Sequence, residues 1–412
     1  MGGGSSVALA NVITDDGVGY TIRYRTDDKN VSRQGSQPST RLTAIAPRLN
    51  WLAKNLSSNH TELGDFDLGR TLGKGLMGTV RLAKTKEIKG YLAMKIISKS
   101  YIFKHKDERH INNERKIMME INSSFCVKLF VTFQDQLNIY FAMEYVPGGE
   151  LYQRLVKCEK LDPNDAQFYL WEIFSALQHL HSLGYVYRDL KPENVMIDAE
   201  GHCKLIDFGF STRPDKQGLM RTALGTPQYL SPEQLNGKFT GGYTSVVDWW
   251  SLGIFLFELL TGRTPFSKST KDTHHEVYLR ILKGKGVPFP WNFDPLSKHF
   301  ITELCQQDLT RRLCDPIHII RHDYFARPAV QKKGAPTVGF SWDKVEDRLL
   351  VPPYVPRLYN EKEGDVKYFD SVYPDDPASL TIKNCFSMES RRSQASSNSS
   401  NSSKNTTTFE GF

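Results

Sequence analysis

One polar segment near the middle of the chain constrains its fold more than any other feature. It reads Tyr187-Arg188-Asp189-Leu190-Lys191-Pro192-Glu193-Asn194, and Asp207-Phe208-Gly209 follows eighteen residues after Asp189. Helical patterns lie on either side, at 163–183 and 246–260. A polar stretch between apolar helices predicts a loop whose side chains carry a function rather than fill a core.

A glycine-rich stretch, Gly73-Lys74-Gly75-Leu76-Met77-Gly78-Thr79-Val80, fits the pattern G-x-G-x-x-G-x-V. Glycines at these points let backbone N–H groups approach phosphate oxygens that a side chain would push away. The pattern alone is weak, because a dinucleotide-binding turn or an ordinary hairpin also satisfies it. A dinucleotide-binding turn opens a helix, whereas residues 79–83 continue as an alternating strand, which disfavours that site.

Lys95 lies inside an apolar strand pattern, Tyr91-Leu92-Ala93-Met94-Lys95-Ile96-Ile97. A lysine in such a strand is costly unless its charge has a partner. Glu114, in the next helical stretch, is the candidate partner and would direct the ammonium toward nucleotide phosphates. The alternative is an edge lysine that extends outward to solvent.

These motifs together resemble the protein kinases. The seven residues from Arg188 to Asn194 match the catalytic loop of that family, with chance odds of roughly one in a million or less. The resemblance implies that Asp189 accepts the proton of the substrate hydroxyl, that Lys191 steadies the γ-phosphate and that Asn194 binds a metal ion. It also implies that Asp207 holds Mg²⁺, so that ATP and Mg²⁺ are the expected cofactors.

Further motifs resemble the AGC group, especially the catalytic subunit of cAMP-dependent protein kinase, over about residues 64–375. Gly225-Thr226-Pro227 and Val247-Asp248-Trp249-Trp250 match this group, and Ser231-Pro232-Glu233 implies a pair between Glu233 and Arg312. The hinge would be Met143-Glu144-Tyr145-Val146-Pro147-Gly148-Gly149-Glu150. The residues that the resemblance implies for ATP binding are Leu72, Gly73, Lys74, Gly75, Leu76, Met77, Gly78, Thr79, Val80, Ala93, Lys95, Glu114, Met143, Glu144, Val146, Glu150, Met196 and Phe369.

Segments of the C-terminal part resemble the tail of the AGC group. They are Pro352-Pro353-Tyr354-Val355-Pro356 and Phe369-Asp370-Ser371-Val372-Tyr373, the second resembling a stretch that lays a phenylalanine beside adenine. Phe409-Glu410-Gly411-Phe412 resembles a truncated hydrophobic motif whose phenylalanines dock into the small lobe. The alternative is an unstructured end with exposed apolar side chains.

Three acidic residues predict the substrate preference. Glu150, Glu193 and Glu258 align with the acids that similar kinases use to bind arginines before the acceptor, and carboxylates are natural bidentate partners of guanidinium. We predict arginine two and three residues before the serine or threonine, and a hydrophobic residue after it. Gln228 replaces a glutamate of the close relatives, which predicts weaker selection for more distant arginines.

Thr222 lies three residues before Gly225, where the family carries its activating phosphate. A phosphate there would pair with Arg188 and His110 and order the loop, and an ordinary loop threonine is the alternative. Thr212 replaces a basic anchor for that phosphate.

Two features bear on partners. Arg221 replaces a tryptophan that, in the related kinases, packs against the regulatory subunit, and loss of an aromatic anchor argues against control by such a subunit. Met1-Gly2-Gly3-Gly4-Ser5-Ser6 satisfies the N-myristoylation pattern at Gly2, with a flexible glycine tail as the alternative. A single acyl chain gives only reversible membrane contact.

Composition argues against other classes. The net charge of +7 comes without a long basic block or an aromatic platform, so we expect no nucleic-acid partner. No apolar run approaches the roughly 18 residues of a membrane span. Six cysteines without C-x-x-C spacing are typical of a cytosolic or nuclear protein. We expect a cytoplasmic protein, with the nucleus as the second location.

We predict an α+β, bilobal protein kinase fold. Residues 1–64 would form an N-terminal extension with a mobile start and a short amphipathic helix near 49–56. Residues 66–147 would form a small antiparallel β-sheet lobe with a regulatory helix, 148–325 a larger helical lobe, and 326–412 the AGC tail. The predicted function is a serine/threonine kinase acting on protein substrates. A pseudokinase scaffold is the alternative, disfavoured because Lys95, Glu114, Asp189, Asn194 and Asp207 are all present.

Overall fold

The computed structural model describes residues 61–75, 78–85, 90–284, 286–326, 342–358 and 365–369, with backbone only at 7–13, 19–25 and 238–240. It divides into two units, Met1–Trp51 and Leu52–Phe412. The predictions for Gly2, the helix near 49–56, Leu76 with Met77, and Phe409 to Phe412 lie outside the described residues.

The N-terminal unit contains a two-stranded antiparallel hairpin. Strand β1 (Val7–Ile13) pairs with β2 (Gly19–Arg25). The sequence analysis assigned no strand to these residues, and the mobile start stays a prediction. The sequence signal is the alternation of Tyr20, Ile22 and Tyr24 with polar residues, which is typical of a strand.

The second unit begins with the antiparallel sheet of the small lobe. Its strand order is β3-β4-β5-β7-β6, and every neighbouring pair is antiparallel. The glycine-rich stretch therefore joins two antiparallel strands and opens no helix, which excludes a dinucleotide-binding turn. The strands are β3 (Phe66–Lys74), β4 (Gly78–Thr85), β5 (Tyr91–Ser98), β6 (Leu129–Gln134) and β7 (Asn138–Glu144).

Two helices follow β5, namely α1 (Lys99–His105) and α2 (Glu108–Glu120). Helix α2 buries Ile111, Glu114 and Ile117, which share one face because three residues make nearly one helical turn. That spacing turns the carboxylate of Glu114 toward the sheet together with the apolar side chains.

The large lobe is mainly helical and is built around α4 and α6. Helix α4 begins at Pro163, where the Asp162 side chain accepts a hydrogen bond from Asn164 N at 3.0 Å. Helix α6 is apolar and buried on nearly all sides, as a central core helix should be. The helices are α3 (Leu151–Cys158), α4 (Pro163–Ser182), α5 (Pro232–Thr240), α6 (Val246–Thr261), α7 (His274–Lys283), α8 (Pro295–Leu304), α9 (Pro316–Arg321), α10 (Asp323–Ala326) and α11 (Trp342–Glu346).

The polar segment lies between α4 and a short hairpin, β8 (Val195–Ile197) with β9 (Cys203–Leu205). Within the same lobe, Arg312 binds Glu233 through two hydrogen bonds of 2.5 and 2.9 Å. Both side chains are buried, so this predicted pair is confirmed.

Two tail segments, 342–358 and 365–369, pack against the large lobe and the hinge. Arg348 forms ion pairs with Asp198 and Glu200. A Cβ atom on Gly148 would lie 2.6 Å from Pro356 Cγ, so glycine is what lets the tail approach. No helix in the described part of the chain is both long and apolar enough to span a membrane.

Candidate active site

The carboxylate of Asp189 is buried and held by four hydrogen bonds. Its Oδ2 accepts from Asn194 Nδ2 at 2.8 Å and from Lys191 Nζ at 2.9 Å. Its Oδ1 accepts from Thr226 N at 3.0 Å and Thr226 Oγ1 at 2.7 Å. Donors on both oxygens fix the orientation of the carboxylate before any substrate binds.

Thr226 is a site residue that the sequence analysis did not assign. Besides donating to Asp189, its Oγ1 accepts a hydrogen bond from Lys191 Nζ at 2.8 Å. The hydroxyl thus links the carboxylate to the ammonium. The available signal was the Gly225-Thr226-Pro227 match, which gave the residue no chemical role.

Asp248, on α6, anchors the backbone of the polar segment. Its Oδ1 accepts from Arg188 N at 2.8 Å, and its Oδ2 accepts from Tyr187 N at 2.8 Å and His181 Nε2 at 2.7 Å. Arg188 has a φ of 70°, which a non-glycine residue adopts only when its surroundings hold it there. The signal for this second unassigned residue was an aspartate inside an otherwise apolar helix.

Lys95 and Glu114 form a direct ion pair, with 2.6 Å between Nζ and Oε1. Burial alone would lower the pKa of Lys95, but the carboxylates of Glu114 and Asp207 outweigh burial and raise it. Lys95 therefore stays an ammonium close to Asp207. The edge-lysine alternative is wrong.

Asp207 follows β9 and presents its carboxylate at an exposed position. It has a φ of 59°, and its Oδ1 accepts a hydrogen bond from Gly209 N at 3.1 Å. The next residue, Phe208, is fully buried and meets the Tyr187 ring edge-on at 5.8 Å. The buried phenylalanine holds the aspartate at the surface of the site.

The glycine-rich turn lies close to Lys95. Gly75 N donates to Gly78 O at 2.9 Å, and Val80 pairs with Lys95 in the register of β4 and β5. A Cβ atom on Gly78 would lie 1.8 Å from Ile96 O, so only glycine fits there.

An apolar cluster lines the sheet next to this turn. It contains Leu72, Val80, Ala93, Met143 and Phe369, the last contributed by the tail. The ring of Phe369 lies 6.0 Å from that of Tyr145. Val146 and Met196 are buried in the main core, and the Glu144 side chain pairs with Lys204 at 3.0 Å. Phe369 thus packs with several residues predicted for ATP binding, while its place beside adenine stays a prediction.

Three acids gather beside Asp189 and Lys191. Burial, together with the charge of Glu193, raises the pKa of Glu258 to about 8, and Tyr229 Oη donates to Glu258 Oε2. Burial and Glu193 also raise the pKa of Glu150. Within the described part of the chain, the buried Oε2 of Glu193 has no hydrogen-bond partner. Lys191 lies near Glu150 and Glu193, but among the described residues none of the three acids forms a direct ion pair.

Thr222 meets one of its two predicted partners. Arg188 Nη1 donates to Thr222 Oγ1 at 3.4 Å, and Tyr243 Oη donates to Thr222 O at 2.5 Å. His110 instead lies with its Nδ1 3.0 Å from Asp107 Oδ1. The pairing of His110 with a phosphorylated Thr222 stays a prediction.

Two groups of residues carry side chains of the kinds that bind metal ions. Asp207 and Asn194 offer the oxygen donors that Mg²⁺ prefers, and the Asn194 amide nitrogen is already bonded to Asp189, which leaves its oxygen for a cation. The cluster of His299, Glu303 and His322 does not fit a metal. His322 Nδ1 accepts from Tyr324 N at 3.0 Å, so its Nε2 carries the proton and faces His299 Nδ1 at 2.8 Å.

Comparison with known proteins agrees with this geometry. The protein kinase domain model matches residues 66–325. The cAMP-dependent protein kinase catalytic subunit of Arthrobotrys oligospora is 37% identical over 319 residues, which cover 76% of this chain and 57% of that protein. The cAMP-dependent protein kinase catalytic subunit PRKX of Homo sapiens is 38% identical over 316 residues, which cover 76% of this chain and 82% of that protein.

A RAC family serine/threonine-protein kinase homolog of Dictyostelium discoideum is 36% identical over 330 residues, covering 79% of this chain and 69% of that protein. The chain spans little more than half of the Arthrobotrys relative and larger shares of the other two. The matched domain and these relatives together show that the chain belongs to the protein kinase family, in its AGC group of serine/threonine kinases.

Proposed function

We propose that this protein transfers the γ-phosphate of ATP to serine and threonine hydroxyls of proteins that carry arginines before the acceptor. The observation that carries the proposal is the arrangement around Asp189, a fixed carboxylate beside three acids that form no direct ion pair within the described residues. Phosphoryl transfer needs positioning and charge neutralisation more than covalent chemistry, and these residues supply both.

In this proposal Asp189 accepts the proton of the substrate hydroxyl. Its four hydrogen bonds fix the orientation of the carboxylate, and a general base must be positioned before it accepts a proton. Lys191, held between Asp189 and Thr226, is placed to steady the transferred phosphate.

The nucleotide would be held by two features of the small lobe. The apolar cluster with Ala93, Met143 and Phe369 suits an adenine ring, and the Lys95 ammonium suits the phosphates. Mg²⁺, held by Asp207 and Asn194, would neutralise charge on the β- and γ-phosphates.

The preference for arginine rests on the acid cluster. An arginine guanidinium supplies the donors that the buried Oε2 of Glu193 lacks and favours the ionised form of Glu258. Glu150 would bind a second guanidinium. We therefore expect arginines two and three residues before the acceptor.

Regulation and location are further parts of the proposal. A phosphate on Thr222 would meet Arg188, which already contacts its hydroxyl. Arg221 is exposed and bonded to Asp215 and Gln217, so it offers no aromatic anchor to a regulatory subunit. We propose a cytoplasmic protein outside direct cAMP control, with reversible membrane contact if Gly2 is myristoylated.

A transfer assay tests the proposal. Radiolabelled γ-phosphate transfer to an Arg-Arg-x-Ser-Φ peptide (Φ hydrophobic) is measured for the wild type and for Asp189→Ala. We expect transfer by the wild type and none by the variant. Nucleotide binding without transfer, in protein phosphorylated at Thr222, would contradict the proposal and favour the scaffold alternative.

A further inference from the structure

A second polar pocket lies between α3 and the two described tail segments. Its lining includes Glu150, Gln153, Arg154, Lys157, Tyr354 and Tyr368. It shares Glu150 with the acid cluster, while Asp189 and the residues bonded to it take no part in the lining. Apart from Glu150, the groups around it are cations, hydroxyls and an amide.

Arg154 provides the strongest sign of a missing ligand. Its guanidinium lies over the ring of Tyr354, with Cζ 4.0 Å from the ring centroid. Its Nε is buried and has no hydrogen-bond partner among the residues that the structure describes. A buried N–H without an acceptor is unfavourable, so the site favours a ligand that brings one.

Two more donors point to the same chemistry. Lys157 Nζ lies 5.6 Å from the centre of the Tyr368 ring and, like Arg154, forms no ion pair with a described carboxylate. The Tyr368 hydroxyl oxygen accepts from Tyr354 Oη at 2.9 Å and from Arg357 N at 3.0 Å. Because that oxygen accepts both bonds, its own hydrogen is left to donate.

The pocket is rigid where it meets the tail. A Cβ atom on Gly149 would lie 2.9 Å from Tyr368 Cβ, and one on Gly201 would lie 2.2 Å from Tyr354 O. Such close packing holds both tyrosines in place before a ligand arrives. A ligand therefore loses little free energy to ordering the site.

The position of the pocket relates it to the substrate. Glu150 is the residue just before α3, and Arg154 and Lys157 follow it at intervals of four and three residues. The three side chains therefore lie on one face of the helix. On the proposed function, Glu150 binds a substrate arginine. A substrate that extends past Glu150, away from its acceptor, meets the two cations next.

We propose that this pocket binds an acidic or phosphorylated side chain of the substrate that lies before the arginines. A phosphoserine suits it best, because a guanidinium and an ammonium can share the phosphate oxygens while the Tyr368 hydroxyl donates to a third. The proposal rests on the proposed function for the direction of the substrate. The pocket would recognise a negatively charged group of the substrate, in addition to the positively charged arginines.

Matched peptides test the pocket. Each carries Arg-Arg-x-Ser-Φ, with either phosphoserine or serine at one position about four to eight residues before the acceptor. Binding to the full chain is measured by fluorescence anisotropy, and KM and kcat by phosphate transfer. At one of these positions we expect phosphoserine to lower Kd and KM about tenfold, with kcat unchanged.

The double variant Arg154→Gln with Lys157→Gln should lose that advantage and keep its KM for the plain arginine peptide. Lys160→Gln, an exposed lysine just after α3, is the matched control and should keep the advantage. Tyr354→Phe keeps the ring under Arg154 and removes the hydrogen bond to Tyr368, so a smaller loss is expected.

Equal affinity of the wild type for both peptides at every position would overturn the proposal, as would an advantage that survives in the double variant. A different outcome would contradict the proposed kinase activity without contradicting the pocket. If no peptide is phosphorylated but the phosphoserine peptide still binds more tightly through Arg154 and Lys157, the pocket stands and the catalytic proposal falls.

Discussion

The carboxyl group of Glu258 is buried next to Glu193, and its pKa is raised to about 8. The raised pKa means that the folded protein holds this proton more tightly than the unfolded chain does. Its contribution to stability is therefore full below the usual glutamate pKa and is lost as the pH rises through about 8. Arginine binding needs the ionised form, so substrate affinity should change with pH in the opposite direction.

We expect the KM for an Arg-Arg-x-Ser-Φ peptide to fall as the pH rises from about 7 to 9, because ionised Glu258 binds guanidinium. Steady-state kinetics across this range measure it, with the KM for ATP as the internal control. Glu258→Gln should raise the peptide KM and flatten its pH profile. An unchanged profile in that variant would assign the titration to another group.

Thr226→Val should lower kcat about tenfold to a hundredfold, because Asp189 and Lys191 both lose the hydroxyl that links them. The KM for ATP should change little, since Thr226 lies outside the apolar cluster. Thr226→Ser restores the hydroxyl and should recover most of the rate. A Thr226→Val enzyme as fast as the wild type would show that Asp189 needs only its other donors.

At the scale of elements, the buried pair between Glu233 of α5 and Arg312 connects two parts of the large lobe. Removing one member of a buried pair leaves an uncompensated charge, whereas removing both leaves none. The ring of Trp250, on α6, also lies 5.1 Å from the Arg312 guanidinium. The pair therefore connects α5 and α6 with the loop that carries Arg312.

Arg312→Leu should destabilise the protein by about 3–5 kcal/mol, and Arg312→Leu with Glu233→Leu by clearly less. Thermal melting of the two variants and the wild type measures this, with His275→Gln, an exposed change on α7, as the control. If the double variant melts no higher than the single one, the loss of stability comes from lost packing rather than from the unpaired carboxylate of Glu233.

Local patterns predicted most of these elements, because period and capping are encoded within a few residues. The pattern at 163–183 became α4, ending at Ser182, and the alternation after Gly78 became β4. The roles of Thr226 and Asp248 could not be read in the same way. Each depends on residues far away along the chain, 37 residues from Asp189 in one case and 67 from His181 in the other.

At the scale of the whole molecule, the tail packs on the apolar cluster where we propose that the nucleotide binds. Phe369 joins the apolar cluster of the small lobe, and Tyr145 Oη donates to Asp365 O at 2.6 Å. Only the resemblance to AGC kinases predicted the position of Phe369. A local sequence pattern does not indicate which distant residues a tail residue contacts. By contrast, all three acids of the acid cluster were named from the sequence. That Glu193 Oε2 is buried without a hydrogen-bond partner among the described residues could not be predicted.

Phe369→Ala should raise the KM for ATP about threefold to tenfold, because a large apolar contact beside the nucleotide is lost. The KM for the peptide should change much less. Val351→Ala, at a tail residue that is 73% exposed, is the control and should leave both constants unchanged. An unaltered KM for ATP in Phe369→Ala would mean that the tail lies beside the site without contributing to it.

The close packing of Pro356 on Gly148 and of Tyr368 on Gly149 has a consequence for turnover. The tail touches the hinge there and reaches the apolar cluster of the small lobe through Phe369. If ATP binds at this cluster, as we propose, these contacts would slow the release of ADP, a step that limits turnover in many enzymes. On that proposal we expect the tail sequence to adjust the lifetime of bound ADP more than the speed of phosphate transfer.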